Sequence, residues 1–291
     1  MSGAPTTTRW RARGRCPSPG RYRPGVKLAT LLALTLCAAA CSTTSTAPSE
    51  DPGGFVTVVR VLDGDSLIVD IDGAETQVRL RGINTPERDE CFDQEAKERT
   101  TRLAAVRIRL AGEGHDQFGR LLRYAFAEDG TLINQQLVVD GFALALSTDH
   151  PRLSEFKAAE NAAFEAGTGR WQAEACGPAR PVGIAISGLE PNAPGDDAQN
   201  LNGEWVELTN RGTGAARLQG WTLHDESSSH RFTFPEDLTI LPDDKLRIFS
   251  GCGTRTADAL YWCDGNPIWT NGGDTAYLLD GSGNAVDRFP F

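Results

Sequence analysis

The stretch VRLRGINTPER, residues 78 to 88, carries an arginine, an amide and a carboxylate at Arg79, Asn84 and Glu87. Upstream, LDGDS places Asp65 two residues after Asp63, and downstream HDQFGR ends on Arg120. Each piece is bland alone. Asp-Gly is a common hairpin turn, Asn-Thr-Pro-Glu can be a turn or a helix start, and two strand arginines can simply face solvent. Brought together, the same groups could handle phosphate: guanidinium forks bind its oxygens in pairs, and a carboxylate can accept a proton from water. The order and spacing of the pieces decide between a plain surface turn and one half of such a site.

The elements around these residues give that spacing its meaning. FVTVVRVLDGDSLIVDIDGAETQVRLRGI alternates in polarity and predicts three short strands, turned at Asp63-Gly64 and Asp72-Gly73. Residues 92 to 105 read as a helix, VRIRL and RLLRYAFA as strands, and TLINQQLVVDG as a helix ended by Gly141. PRLSEFKAAENAAFEAG predicts a last helix, from Pro151 to Gly167. Three strands, a helix, two strands and two helices predict a small OB-type β-barrel with helices packed against it (α+β), over residues 55–177. Beyond GPARP the chain shows short strands such as EWVELTN, GWTLHD, RFTFP, DKLRIFS and DTAYLLD between turn residues, which predicts a β-sandwich over 182–291. The expected architecture is multidomain.

VLDGDSLIV, VRLRGINTPE, FGRLLRYAF followed by DG, and N-x-x-LVxxGFA resemble, as an ordered set, the staphylococcal nuclease family. The resemblance spans about Phe55 to Trp171 and implies an OB-barrel nuclease that uses calcium to cleave DNA and RNA to 3′-phosphate ends. It further implies that Asp65 and Asn84 are side-chain Ca2+ ligands, that Thr85 ligates through its main-chain carbonyl, that Glu87 is the catalytic carboxylate, and that Arg79 and Arg120 bind phosphate. The chemistry agrees. Calcium takes oxygen ligands, Pro86 biases Thr85 towards an extended conformation, and paired guanidinium groups suit the equatorial oxygens of a phosphorane-like state in a way lysine does not. Asn84 stands where the family carries a carboxylate, so calcium binding should be weaker. The tyrosines that the family places near the bound nucleotide have no match in Ser147-Thr148-Asp149, and the segment from Ala96 to Val106 is shorter than the family's first helix.

GEWVELTNRG, LQGWTLHD and the ending GDTAYLLDGSGNAVD resemble the lamin tail domain, from about Pro181 to Phe291. That likeness implies an immunoglobulin-like β-sandwich acting as a binding or positioning module for the enzyme, its ligand unknown. Asp196, Asp197, Asn202 and Glu204 read as a solvated acidic loop, with a cation site as the alternative. His115, His224 and His230 lack metal-like spacing, and Trp171, Trp205 and Trp221 are expected to pack cores.

The net charge of −10 conceals an uneven distribution. Residues 1 to 40 hold seven basic and no acidic residues, leaving 22 basic against 39 acidic beyond them. That balance disfavours broad, sequence-independent binding of DNA, and contact with a nucleic acid substrate must be local or helped by a cation. LATLLALTLCAAAC after the basic stretch, followed by STTSTAPSEDPGG, resembles a bacterial lipoprotein signal, with Cys41 as the lipidated residue and Val26 as an alternative start. A transmembrane anchor or a simply cleaved signal is the other reading. The expected protein is exported, with residues 1–40 as signal peptide and 41–54 as flexible tether. It is either lipid-anchored on the outer face of the membrane or secreted. Four cysteines then remain, open to three disulfide connectivities; Cys91–Cys176 and Cys252–Cys263 are favoured because each pair stays within one domain, and zinc binding is the weaker reading because no CxxC pair is present. The rival to a nuclease is a catalytically weak or inactive barrel on a surface lipoprotein that only binds nucleic acid or protein.

Overall fold

The computed structural model describes residues 53–179 and 183–291; the signal segment, with Val26 and Cys41, lies outside the described residues. The barrel half runs β1 (Phe55–Val61), β2 (Ser66–Ile71), β3 (Ala74–Leu80), β4 (Ile83–Asn84), α1 (Asp93–Ala104), β5 (Arg107–Ala111), β6 (Leu121–Phe126), α2 (Ile133–Val139), β7 (Leu144–Ala145) and α3 (Leu153–Glu165). Five strands close into a barrel in the order β1-β2-β3-β6-β5, with β3 and β6 parallel and the other neighbouring pairs antiparallel. Alternation along β2 and β3 turns Leu67, Val69, Val78 and Leu80 into the core beside Ile108 and Tyr124. Asp72 and Gly73 both have positive φ, 53° and 84°, as a two-residue hairpin turn requires. The expected OB-type barrel with three helices is present. The sequence pattern does not disclose the short β4–β7 pair, in which Asn84 lies opposite Leu144.

The second half is an immunoglobulin-like sandwich. One four-stranded sheet orders Arg231–Thr233, Thr222–His224, Thr275–Leu279 and Ala285–Pro290; the other orders Ala259–Tyr261, Lys245–Phe249, Trp205–Asn210 and Ile184–Glu190. Val206, Leu208, Trp221, Leu246, Ile248 and Leu278 fill the space between them. Three of these strands, at Ile184–Glu190, Ala259–Tyr261 and Ala285–Pro290, go beyond the sequence expectation. Their polar or glycine-interrupted sequences hide the alternation. Trp205 corrects another expectation: it is only half-buried, with the Arg247 guanidinium 4.3 Å over its ring. Glu204 is a further correction, being fully buried rather than solvated. Its Oε2 accepts the Ile268 N–H at 3.0 Å and so anchors the segment that follows Cys263.

Both expected disulfides are formed, Cys91–Cys176 and Cys252–Cys263. The first closes a separation of 85 residues, which in the chain-entropy account restrains the unfolded chain by about 4 kcal/mol. The described residues of barrel and sandwich belong to one compact unit and pack directly on each other. Leu144, Ala163 and Trp171 from the first half share a core with Tyr277 from the second. Among the described residues no helix is long and apolar enough to cross a membrane.

Candidate nuclease site

Asp65 leaves the β1–β2 turn with its main chain held on both sides. Its N–H bonds Asp63 Oδ1 at 3.0 Å, and its carbonyl accepts the Leu80 N–H at 2.8 Å. Gly64 beside it must be glycine, because a Cβ there would lie 2.7 Å from three atoms of the Thr85 side chain. That close approach lets Thr85 bind Asp65 twice. Its N–H and its hydroxyl both donate to Asp65 Oδ2, at 2.8 and 3.0 Å.

Arg79 stands opposite Ser66 in the β2–β3 register, at the end of the barrel from which Asp65 emerges. Its guanidinium spans two acceptors, Asp65 Oδ2 at 2.8 Å and Asn84 Oδ1 at 3.0 Å. Arg120 enters β6 after a tight turn. Asp116 organises that turn, accepting the Phe118 and Arg120 N–H groups at 2.9 Å and Arg120 Nε at 2.5 Å. Ser66 joins the two arginine clusters: its hydroxyl donates to Asp65 Oδ1 at 3.1 Å and accepts from Arg120 Nη1 at 3.3 Å. Arg79, Asp65, Ser66 and Arg120 are thus one chain of polar contacts, an ion pair followed by two hydrogen bonds.

The electrostatics follow from burial. Asp65 is 5 % exposed, and burial pushes its carboxyl up to about 6, against the pull of Arg79 and the Thr85 hydrogen bonds and with a further push from Asp63. Partial burial opposes ionisation of Asp116 as well, yet the hydrogen bonds from Arg120 and from the Arg120 and Phe118 N–H groups hold it below the usual carboxylate range. Both arginines line one cavity of about 530 Å³, together with Asn84, Phe118, Thr148, Asp149 and the sandwich residues Ser227 to Ser229. Phe118 is 75 % exposed, and the Arg120 guanidinium lies 5.5 Å from its ring centre.

The structure therefore gathers Asp65, Arg79, Asn84, Thr85 and Arg120. Glu87 is not drawn into that network. It sits exposed beyond Pro86, its N–H bonded to Glu90 Oε2 at 2.9 Å, and it is not part of the cavity wall. Two contributors went unread in the sequence. Asp116, four residues before Arg120, carried a usable signal in HDQFGR, whereas Ser66 offered only its adjacency to Asp65. Among the described residues no three His, Cys, Asp or Glu side chains are grouped to hold a metal ion. The donor set of the corner is of another kind, one carboxylate, one amide oxygen and main-chain carbonyls. It fits a hard cation by donor type, although Arg79 competes for the same two oxygens. His115 is exposed, while His224 is buried, held neutral chiefly by that burial, and stacked on Tyr277.

Residues 77–173 match the family model described as Staphylococcal nuclease homologue, and residues 178–291 match the Lamin Tail Domain. Among curated proteins the chain is similar to the Thermonuclease of Staphylococcus hyicus, 33 % identical over 97 residues, and to that of Staphylococcus intermedius, 36 % identical over 97 residues. Each alignment covers 30 % of this chain and 57 % of the relative. An uncharacterized endonuclease of Haemophilus influenzae is 32 % identical over 116 residues, covering 39 % of this chain and 64 % of that protein. The chain thus spans a little over half the length of the thermonucleases it matches. Asp65 precedes the segment matched by the family model.

Proposed function

Given that this chain carries a staphylococcal nuclease-homologue domain followed by a lamin tail domain, we propose that it is an exported, calcium-dependent nuclease that cleaves DNA, with RNA as a second substrate, to leave 3′-phosphate ends. The observation that carries this reading is the placement of Arg79 and Arg120 on one cavity, linked through Asp65 and Ser66. Two guanidinium groups held by carboxylates on a barrel rim are preorganised to grip a phosphate, so little reorganisation is needed when charge develops on its oxygens. Asp65, Asn84 and Thr85 would hold calcium, which supplies further neutralisation of the phosphate charge. Glu87, exposed three residues beyond Asn84, is the carboxylate we assign to take the proton of the attacking water. Phe118 offers a face on which a base can stack regardless of its identity. A lipid on Cys41 and the tether after it would hold the enzyme at the outer membrane face, with secretion as the alternative.

The position of Glu87 outside the cavity wall favours one rival, a barrel that binds nucleic acid without cleaving it. A nuclease assay with calcium, magnesium or chelator in parallel separates the two. We expect cleavage of DNA in millimolar calcium and its loss with chelator; intact DNA and RNA under all three conditions would leave only the binding reading.

A further inference from the structure

Asn84 makes a contact that the family's usual carboxylate could not. Its Nδ2 donates to the main-chain carbonyl of Glu226 at 3.1 Å while its Oδ1 accepts from Arg79 at 3.0 Å. An amide has unlike ends. With the nitrogen fixed on a carbonyl, only the oxygen is left to face Arg79 and the Asp65 side of the site. That carbonyl belongs to the sandwich loop between the strands Thr222–His224 and Arg231–Thr233. The loop is itself pinned to the barrel half. The buried Glu226 carboxylate accepts the Ser147 N–H at 2.5 Å and the Ser147 hydroxyl at 3.0 Å, and pairs with Lys157. Immediately after Glu226, Ser227, Ser228 and Ser229 line the cavity that holds both arginines.

We propose that the lamin tail domain is a working part of the nuclease site, with Glu226 as a positioning residue. Its carboxylate docks the loop on Ser147 and Lys157, and its carbonyl turns the Asn84 oxygen inward. The serines behind it supply an uncharged, polar stretch of the wall of the cavity that both arginines line, suited to a phosphodiester strand. This rests on the nuclease reading above. It also accounts for the amide of Asn84. A carboxylate at that position would set an acceptor oxygen against the Glu226 carbonyl oxygen, so the docked loop and the family's usual acidic ligand exclude each other.

The test uses the full chain and two readouts, kcat and KM on single-stranded DNA in calcium, and hydrogen–deuterium exchange of residues 225–230. Glu226→Ala should lower kcat about 10- to 100-fold, the scale of a displaced positioning contact, with KM little changed and loop exchange faster. Glu226→Gln, which keeps the length and one acceptor for Ser147, should recover part of both. Asn84→Asp should speed loop exchange more than Asn84→Ala, since it adds repulsion to the lost hydrogen bond. Arg288→Ala, which removes the interdomain contacts to Asn161 and Glu160 and leaves those of the loop in place, should leave kcat unchanged. A Glu226→Ala enzyme with wild-type kcat would overturn the proposal, as would an Asn84→Asp loop as protected as in the wild type. Should the wild type not cleave at all, the nuclease reading fails by itself, and the exchange of the two Asn84 variants still decides whether that residue holds the loop.

Discussion

Among the clusters that bury a carboxylate beside an arginine, two do different work. At the barrel rim, Asp65 and Arg79 pair at 2.8 Å, and Arg79 lines a cavity shared with Arg120. At the domain interface, Glu160 accepts the Tyr277 hydroxyl at 2.7 Å with Arg288 Nη1 3.6 Å away, beside Phe164 and Trp171. Burial raises both carboxyls above their ordinary values, opposed by Arg79 at the first and by Lys157 at the second. Tyr277 is pushed well above its ordinary value by the same burial and by Glu160. The residue types are nearly the same. What differs is the arginine: Arg79 lines a cavity and is free to exchange partners with an incoming phosphate, whereas Arg288 lies over the Phe164 ring, 4.3 Å from its centre, and ties the two domains together.

Substitutions in the two clusters should therefore separate stability from activity. Glu160→Ala strands Arg288 and the Tyr277 hydroxyl in the domain interface and should cost about 3 kcal/mol, seen as a lower Tm, while activity per folded molecule stays near wild type. Arg79→Ala should do the reverse, lowering calcium-dependent DNA cleavage about 100-fold or more in a protein that still unfolds cooperatively. A Glu160→Ala protein that is stable but inactive would erase the distinction. Calcium at about 100 times its Kd should stabilise the wild type by ~2.7 kcal/mol in thermal unfolding and should not stabilise Asp65→Ala.

A smaller effect comes from Asp274, buried near the docked loop. Its carboxyl is pushed up to about 7, first by burial and then by Glu226 and Asp225. A folded-state value above the unfolded one means that the folded protein favours the protonated form. The group's penalty is absent below about pH 4, grows as pH rises to 7, and is constant above that. Asp274→Asn removes this penalty, though it forfeits one of two accepted bonds, from Thr275 N–H at 2.7 Å or Thr270 N–H at 3.2 Å. The Tm of the variant relative to wild type should rise between pH 4 and pH 8; a difference independent of pH would rule out Asp274 as the titrating group.

Much of this was legible in the residues. The Asp72-Gly73 turn, the glycine stop of the second helix and the alternation of β2 and β3 are local rules, and each appears where the sequence placed it. The five residues gathered at the rim were legible because a known motif order stood behind them. Glu204 was misread because its loop composition is polar, and only the packing of the segment around Ile268 shows that its carboxylate is an internal anchor. Glu226 carried no signal at all.

By itself, then, the sequence determined the two architectures and the order of two arginines in a pattern that resembles a phosphate-handling one. These are set by periodicity, turn chemistry and order along the chain. The tertiary structure alone decided that Glu87 stays outside the cavity and that a sandwich loop meets the barrel at Asn84 across 142 residues. A hydrogen bond over such a separation is fixed by how two cores pack and by the direction of single side chains. No local preference of either residue encodes that.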